Sequence, residues 1–161
     1  MGRNPRSPGY AALRRGRVSL PDHFYLVTTA THDRKPLFRT LGTGRIVVRE
    51  LQRLSPVATT YCYVVMPDHL HWLLQLNGDT TLKDAVRGLK GRSARTITRT
   101  TSHTAPIWQP GFHDHGVRRD ADLRAMARYV IANPLRAGLV ERVGDYPLWD
   151  AVWVEDGTGG G

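Results

Sequence analysis

Val64-Val65-Met66-Pro67-Asp68-His69-Leu70-His71-Trp72-Leu73-Leu74-Gln75-Leu76 is the stretch on which the reading of the whole chain turns. Strand side chains alternate between faces, so His69, His71, Leu73 and Gln75 share one side, and Leu70, Trp72, Leu74 and Leu76 the other. The second set is wholly apolar and predicts a core-facing surface. The two imidazoles then stand about 6–7 Å apart at Cβ on the opposite face, a separation that two side chains can close around one metal ion. Two histidines on a half-buried strand serve equally well as hydrogen-bonded structural residues, so the pair needs support from elsewhere. Just upstream, Thr59 to Met66 reads as a strand, with Tyr61, Tyr63 and Val65 set against Thr60, Cys62 and Val64 and both sides buried. Pro67-Asp68 makes a sharp turn and predicts an antiparallel hairpin. Cys62 is expected to be packing.

Moving outward, Phe24-Tyr25-Leu26-Val27-Thr28-Thr29-Ala30 is rich in β-branched and aromatic residues and predicts the first strand, ended by residues 33–36. Ile46, Val47, Leu51 and Leu54 fall at helical spacing over Gly44 to Leu54, with Arg45, Arg49 and Arg53 on another stripe. Gly42 and Gly44 read as turn residues. They make no dinucleotide fingerprint, because the third glycine and a preceding buried strand are missing. After Asn77-Gly78-Asp79, Thr80 or Thr81 can cap a helix whose apolar stripe is Leu82, Val86, Leu89 and Ile97. Lys83, Arg87, Lys90, Arg95 and Arg99 populate the rest of that helix as a candidate phosphate-facing edge, and Gly88 and Gly91 suggest close packing or a bend. Trp108 to Arg119 reads as a turn and an edge strand; Trp108 fits the core better than a base-stacking role, and His113 and His115, whose alternate spacing repeats that of His69 and His71, fit structural or nucleic-acid-contacting roles better than a second metal clamp, because Asp114 and Gly116 interrupt any apolar face. Asp120 to Asn133 predicts a helix with Leu123, Ala127 and Val130 inward, ended by Pro134. Leu139 to Trp153 holds enough apolar residues to pack one edge of the domain.

A chain of 161 residues has room for one domain with a real core. The expected organisation is a flexible basic arm over 1–20, one catalytic domain over 21–154 and a flexible glycine-rich tail over 155–161. The formal charge of +9 rests almost entirely on arginine, since Lys35, Lys83 and Lys90 are the only lysines. Arginine's planar fork suits phosphate oxygens and stacks on bases, so nucleic acid is the leading partner class, ahead of an acidic membrane surface or protein. Arg14, Arg15 and Arg17 in the arm, Lys83, Arg87, Lys90 and Arg95 on the helix, and Arg118 and Arg136 further on are the candidate DNA contacts. A single cysteine, no apolar run of about 20 residues and no signal-peptide core predict a cytoplasmic protein without a membrane span.

Asp122, Met126, Tyr129 and Asn133 follow steps of four, three and four along the last long helix and share one stripe, with Tyr129 and Asn133 about 6 Å apart along its axis. Alone, such a tyrosine reads as core and such an asparagine as a helix end. Beside the histidine pair they gain a second meaning. A divalent metal held by His69 and His71 needs another ligand and an open position, and an Asn133 amide oxygen would supply the ligand while bringing Tyr129 beside the metal. A phenol, with an ordinary pKa near 10, attacks a phosphodiester poorly at neutral pH unless a base or cation assists it. The product would be a covalent phosphotyrosine with the bond energy conserved, so rejoining would need no nucleotide cofactor.

His69-Leu70-His71 at the end of Tyr63-Val64-Val65-Met66-Pro67-Asp68, then Trp108-Gln109-Pro110-Gly111-Phe112-His113-Asp114-His115, then Tyr129-Val130-Ile131-Ala132-Asn133-Pro134-Leu135-Arg136-Ala137-Gly138-Leu139-Val140 resemble the REP-associated tyrosine transposases. These are single-tyrosine members of the HUH superfamily, in which U is a hydrophobe. The resemblance runs from about Phe24 to Tyr146 with the three motifs in order. It implies an α+β, ferredoxin-like antiparallel sheet with two backing helices and a C-terminal tyrosine-bearing helix brought up to the histidine face. It also implies cleavage and strand transfer of single-stranded DNA beside palindromic hairpins through a 5′-phosphotyrosine, in a bacterial, nucleoid-associated setting, by a monomer or a homodimer. Tyr129 would be the nucleophile and His69 and His71 the ligands of Mg2+ or Mn2+, although two imidazoles by themselves suit zinc as well. Asn133 stands where small insertion-sequence relatives commonly carry glutamine.

Two rival classes are a non-catalytic single-stranded nucleic-acid module on an RRM-like sheet and a His-x-His metal hydrolase. The first calls for exposed aromatics at the sheet centre in place of the histidines. The second is often hosted by a barrel of about 250 residues, longer than this chain.

Overall fold

The computed structural model describes residues 23–117 and 120–153. The alternating stretches form the expected strands: β1 is Phe24–Ala30, β2 Ala58–Met66 and β3 His69–Leu76. Helix α1, Leu41–Arg53, links β1 to β2, and α2, Leu82–Thr100, follows β3. Strand β4, His113–Val117, precedes α3, Asp120–Ile131, the one-turn α4, Asn133–Arg136, and the short β5, Trp149–Ala151. All pairings are antiparallel and the sheet order is β4-β1-β3-β2-β5. Its first four strands, joined as βαββαβ, are the ferredoxin-like arrangement, with β5 added at the β2 edge. The basic arm and the glycine-rich tail lie outside the described residues, as does Arg118. No described helix is long and apolar enough to cross a membrane.

The two faces of β3 separate as their alternation predicts. Leu70, Trp72 and Leu74 are fully buried against α1 and α2, together with Tyr25, Val27, Ile46, Val47, Val86 and Leu89. Leu73 lies on the other face in a second cluster with Phe24, Cys62, Val64, Met66 and the inward side of α3, Leu123, Ala127 and Val130. The tyrosine-bearing helix therefore covers the histidine-bearing face. On the sheet face away from α1 and α2, where an RRM carries its stacking aromatics, Phe24 is 9% exposed within the α3-side cluster, so it offers bases no stacking platform of the RRM kind. Burial also pushes the Cys62 thiol up to about 12, which makes it packing and not a nucleophile.

Four details depart from the expected local structure, each for a packing reason. The β2–β3 register shifts between Thr60 and Cys62. This bulge puts Tyr61 with the α3-side cluster while Tyr63 and Val65 stay on the α1/α2 side, so the three do not share a face. Gly44 is not a turn residue: it lies inside α1, where a Cβ would collide with Leu148. Gly88 and Gly91 mark no close approach by another element, since the nearest atoms to a Cβ there belong to Arg92 and Arg95 of the same helix. Pro134 does not simply stop α3; it sits in the first turn of α4, where its missing N–H costs nothing.

One buried charge was invisible to the periodicity. Glu50 is 2% exposed between α1 and α2 and accepts from Arg53 Nη1 at 3.0 Å and Arg92 Nε at 3.1 Å. Removing one member of a buried pair strands the rest, although these arginines are partly exposed and can rehydrate. Glu50→Ala is expected to lower unfolding stability by about 3 kcal/mol in urea titration. A change within about 0.5 kcal/mol would show that the cluster holds nothing together.

Candidate active site

The β2–β3 turn is two residues long, Pro67 and Asp68, and Met66 pairs directly with His69 and Val64 with His71. The turn is pinned from outside: Thr31 N and Phe38 N donate to the Asp68 and Pro67 carbonyls, each at 2.9 Å. On this anchored hairpin the two imidazoles stand perpendicular with ring centroids 4.7 Å apart. Their Nε2 atoms are 3.1 Å from one another. The outward nitrogens are both held, His69 Nδ1 by Asp68 Oδ1 at 2.7 Å and His71 Nδ1 by Thr28 Oγ1 at 3.0 Å.

These contacts fix the chemistry of the pair. An ionised carboxylate can only accept, so His69 donates from Nδ1 and, when neutral, presents a lone pair at Nε2. If Thr28 accepts from His71 in the same way, two lone pairs face one space. Burial is the main cause that brings His71 down to about 4, with His69, Arg136 and Arg34 adding positive charge nearby, so this ring is a neutral donor at physiological pH. Two nitrogens in adjacent positions on one octahedral ion stand about 3 Å apart. The imidazole spacing fits two neighbouring positions on a divalent ion and equally a hydrogen bond between the two Nε2 atoms, and the outer partners orient both rings for either. Among the described residues, no group of three His, Cys, Asp or Glu side chains could hold a metal. A third protein donor would then be of another type. Asn133 begins α4 and donates from Nδ2 to the Val130 carbonyl at 2.8 Å, leaving its amide oxygen for other partners.

Tyr129 is 63% exposed, which rules out the core role usual for a helical tyrosine. Its ring lies under the Arg136 guanidinium at 3.9 Å, and the same arginine contributes to the field at His71. Arg136 thus lies over Tyr129 and also near enough to His71 to disfavour protonation of that imidazole. Tyr129 also walls an open cleft of about 660 Å³ between α3 and the β4 edge, with His115, Val117, Asp122 and Met126. Asp122, Met126 and Tyr129 do share the expected stripe; Asn133, beyond the end of α3, is not among the cleft's walls.

The basic residues divide between two regions. Lys83, Arg87, Lys90 and Arg95 lie on α2, across the sheet from α3, and the first three line a second cleft of about 450 Å³ with Ile107, Trp108 and Phe112. Lys90 is partly committed to structure, donating to the Gln109 and Gly111 carbonyls at 2.8 and 2.7 Å, and burial lowers its pKa. Arg87 lies 3.6 Å from Asp84. Arg14, Arg15, Arg17 and Arg118 are outside the described residues. Sequence reading missed the supporting groups Thr28, Asp68 and Arg34, the last 3.8 Å from Asp68 Oδ2. Asp68 adjoins His69 and could have been suspected; only strand pairing brings Thr28 opposite His71.

The sequence model of a family described as Transposase IS200 like matches residues 22–133. A REP-associated tyrosine transposase of Escherichia coli K12 is 31% identical over 87 residues, 53% of this chain and 50% of its own. A Haemophilus influenzae protein named for the same group is 32% identical over 98 residues, 55% of this chain and 56% of its own. The chain thus spans about half the length of the curated relatives it matches. The solved structure of a REP-associated tyrosine transposase bound to a REP hairpin aligns at a TM-score of 0.70 and 23% identity, covering 83% of this chain and 79% of that one, which is a likeness of fold.

Proposed function

The chain belongs to the IS200-like transposases, and from that premise we propose that it cuts and rejoins single-stranded DNA beside hairpins through a tyrosine-linked intermediate. The observation that supports this reading best is a solvent-open Tyr129, on the helix covering the histidine face, beneath Arg136, whose positive charge also bears on His71, one of two imidazoles whose Nε2 atoms are 3.1 Å apart.

In the proposed reaction, Tyr129 Oη attacks a backbone phosphorus. A phenolic oxygen–phosphorus bond forms, the bond to the 3′-oxygen breaks, and the proton lost by the phenol is balanced by one gained at the departing 3′-hydroxyl. Attack by a free 3′-hydroxyl on the phosphotyrosine reverses the step and restores the phenol, so no nucleotide is consumed. His69 and His71 would hold Mg2+ or Mn2+, with the Asn133 amide oxygen as a third donor, and the ion would offset charge on a non-bridging phosphate oxygen. Asp68 and Thr28 orient the two rings. Arg136, with its guanidinium carbon over the attacking ring, would fix the ring's direction and add positive charge where the phosphate must sit. The α2 edge, Lys83, Arg87 and Arg95 with Lys90, is assigned to the phosphates of the hairpin.

The test is incubation with a labelled hairpin oligonucleotide and Mn2+, followed by denaturing electrophoresis; a protein–DNA adduct is expected from this reading and from neither rival. Within the same assay, Arg136→Ala is expected to slow adduct formation about 100-fold. Arg136→Lys should recover only part of that loss, because an ammonium cannot lie flat on the ring. An undiminished rate in Arg136→Ala would remove this residue from the site.

A further inference from the structure

The Tyr129 cleft is larger than attack on a phosphate requires. A phosphate in reach of Tyr129 Oη carries a nucleoside on each side, and the tyrosine ring is itself one wall of the 660 Å³ opening. That volume falls within the range of small-ligand sites. Among the described residues its apolar lining is Val117, Ala125 and Met126, and its polar side chains are His115, Asp122 and Tyr129 itself. A flat, stackable body with a polar edge matches this lining. In the β4–β1–β3 register, His115 pairs with Leu26 and Leu26 with Leu73, one step along from the rung in which His113, Thr28 and His71 align. His115 is therefore on the histidine-bearing face, with its side chain exposed at the sheet edge.

We infer that this cleft receives and reads the nucleobase next to the phosphate attacked by Tyr129, with Asp122 and His115 as the specificity-determining residues. This rests on the transposase reading above. An ionised carboxylate only accepts hydrogen bonds, so Asp122 favours a base edge bearing an amino group: adenine, cytosine or guanine. Thymine offers a single N3–H between two carbonyl oxygens, which a carboxylate repels. His115 can donate or accept and narrows the choice among the amino bases. The ring of Tyr129 and the Met126 side chain supply the stacking surface.

The experiment is adduct formation by the full chain with Mn2+ on a hairpin oligonucleotide set in which each nucleotide flanking the cleavage position is varied in turn. Wild type is expected to disfavour thymine at one flanking position by about tenfold or more in rate, the size of one good base contact. Asp122→Asn, whose amide can also donate, is expected to bring the thymine-to-cytosine rate ratio at that position to within about threefold of unity, and His115→Ala to change the ratios among the amino bases. Because each reading is a ratio within one variant, a general loss of activity does not imitate the effect. An adduct formed by wild type with no preference at either flanking position overturns the inference, and so does a preference that both variants leave unchanged. No adduct from wild type on any substrate overturns the transposase reading itself, and this inference with it.

Discussion

Tyr129→Phe is expected to form no covalent protein–DNA adduct under conditions in which wild type forms one readily. The loss should be at least about 10⁴-fold, the scale seen when a nucleophile is removed and only binding and electrostatics remain. The substitution deletes one hydroxyl from a ring that is 63% exposed, so stability should change by no more than about 0.5 kcal/mol. Hairpin affinity should hold, because the basic α2 edge lies across the sheet from Tyr129. Separation of the two readouts is the point of the experiment. Loss of both together would point to a folding defect, and an adduct that persists in the phenylalanine variant would assign the nucleophile elsewhere.

His69→Ala and His71→Ala are each expected to lower adduct formation by about 10³-fold or more and to abolish stabilisation by Mn2+. The second readout is independent of activity. An ion that binds only the native state adds about 2.7 kcal/mol at 100 times its Kd, a rise of several degrees in Tm for a domain of this size. Wild type should show that rise and the alanine variants should not. Asp68→Asn and Thr28→Val should weaken Mn2+ binding by an intermediate amount, about 10- to 100-fold, because they orient the rings without supplying the inward nitrogens. Wild-type cleavage in His71→Ala would mean that the 3.1 Å imidazole contact is structural.

Much of the fold was legible because it is written in short-range periodicity. The alternation through His69–Leu76 separated Leu70, Trp72 and Leu74 from Leu73 and from the histidines, and the two packing clusters follow that division. The helical stripes of α1, α2 and α3 were legible for the same reason, as was the Pro67-Asp68 hairpin. Periodicity failed where one residue was added or a distant side chain intervened. The bulge between Thr60 and Cys62 moved Tyr61 to the other face, and Leu148, more than 100 positions away, decides why position 44 carries no side chain. Glu50 was hidden because a buried acid looks like a solvated one until Arg92 is brought to it.

For the site, the sequence by itself singled out the candidates for chemistry: two histidines on one strand face, a tyrosine on a helical stripe, and arginine-rich edges. Local backbone geometry spaces such residues, so a reader of the chain can pair them. That the tyrosine helix covers the histidine face was implied by the family resemblance and not by periodicity; tertiary structure alone decided that Tyr129 stays open to solvent under Arg136, that Thr28 and Asp68 hold the outward nitrogens, and that His115 and Asp122 share a cleft with the tyrosine. The reason is physical: these relations depend on strand order and on the burial of one helix face against a sheet, both set by long-range packing.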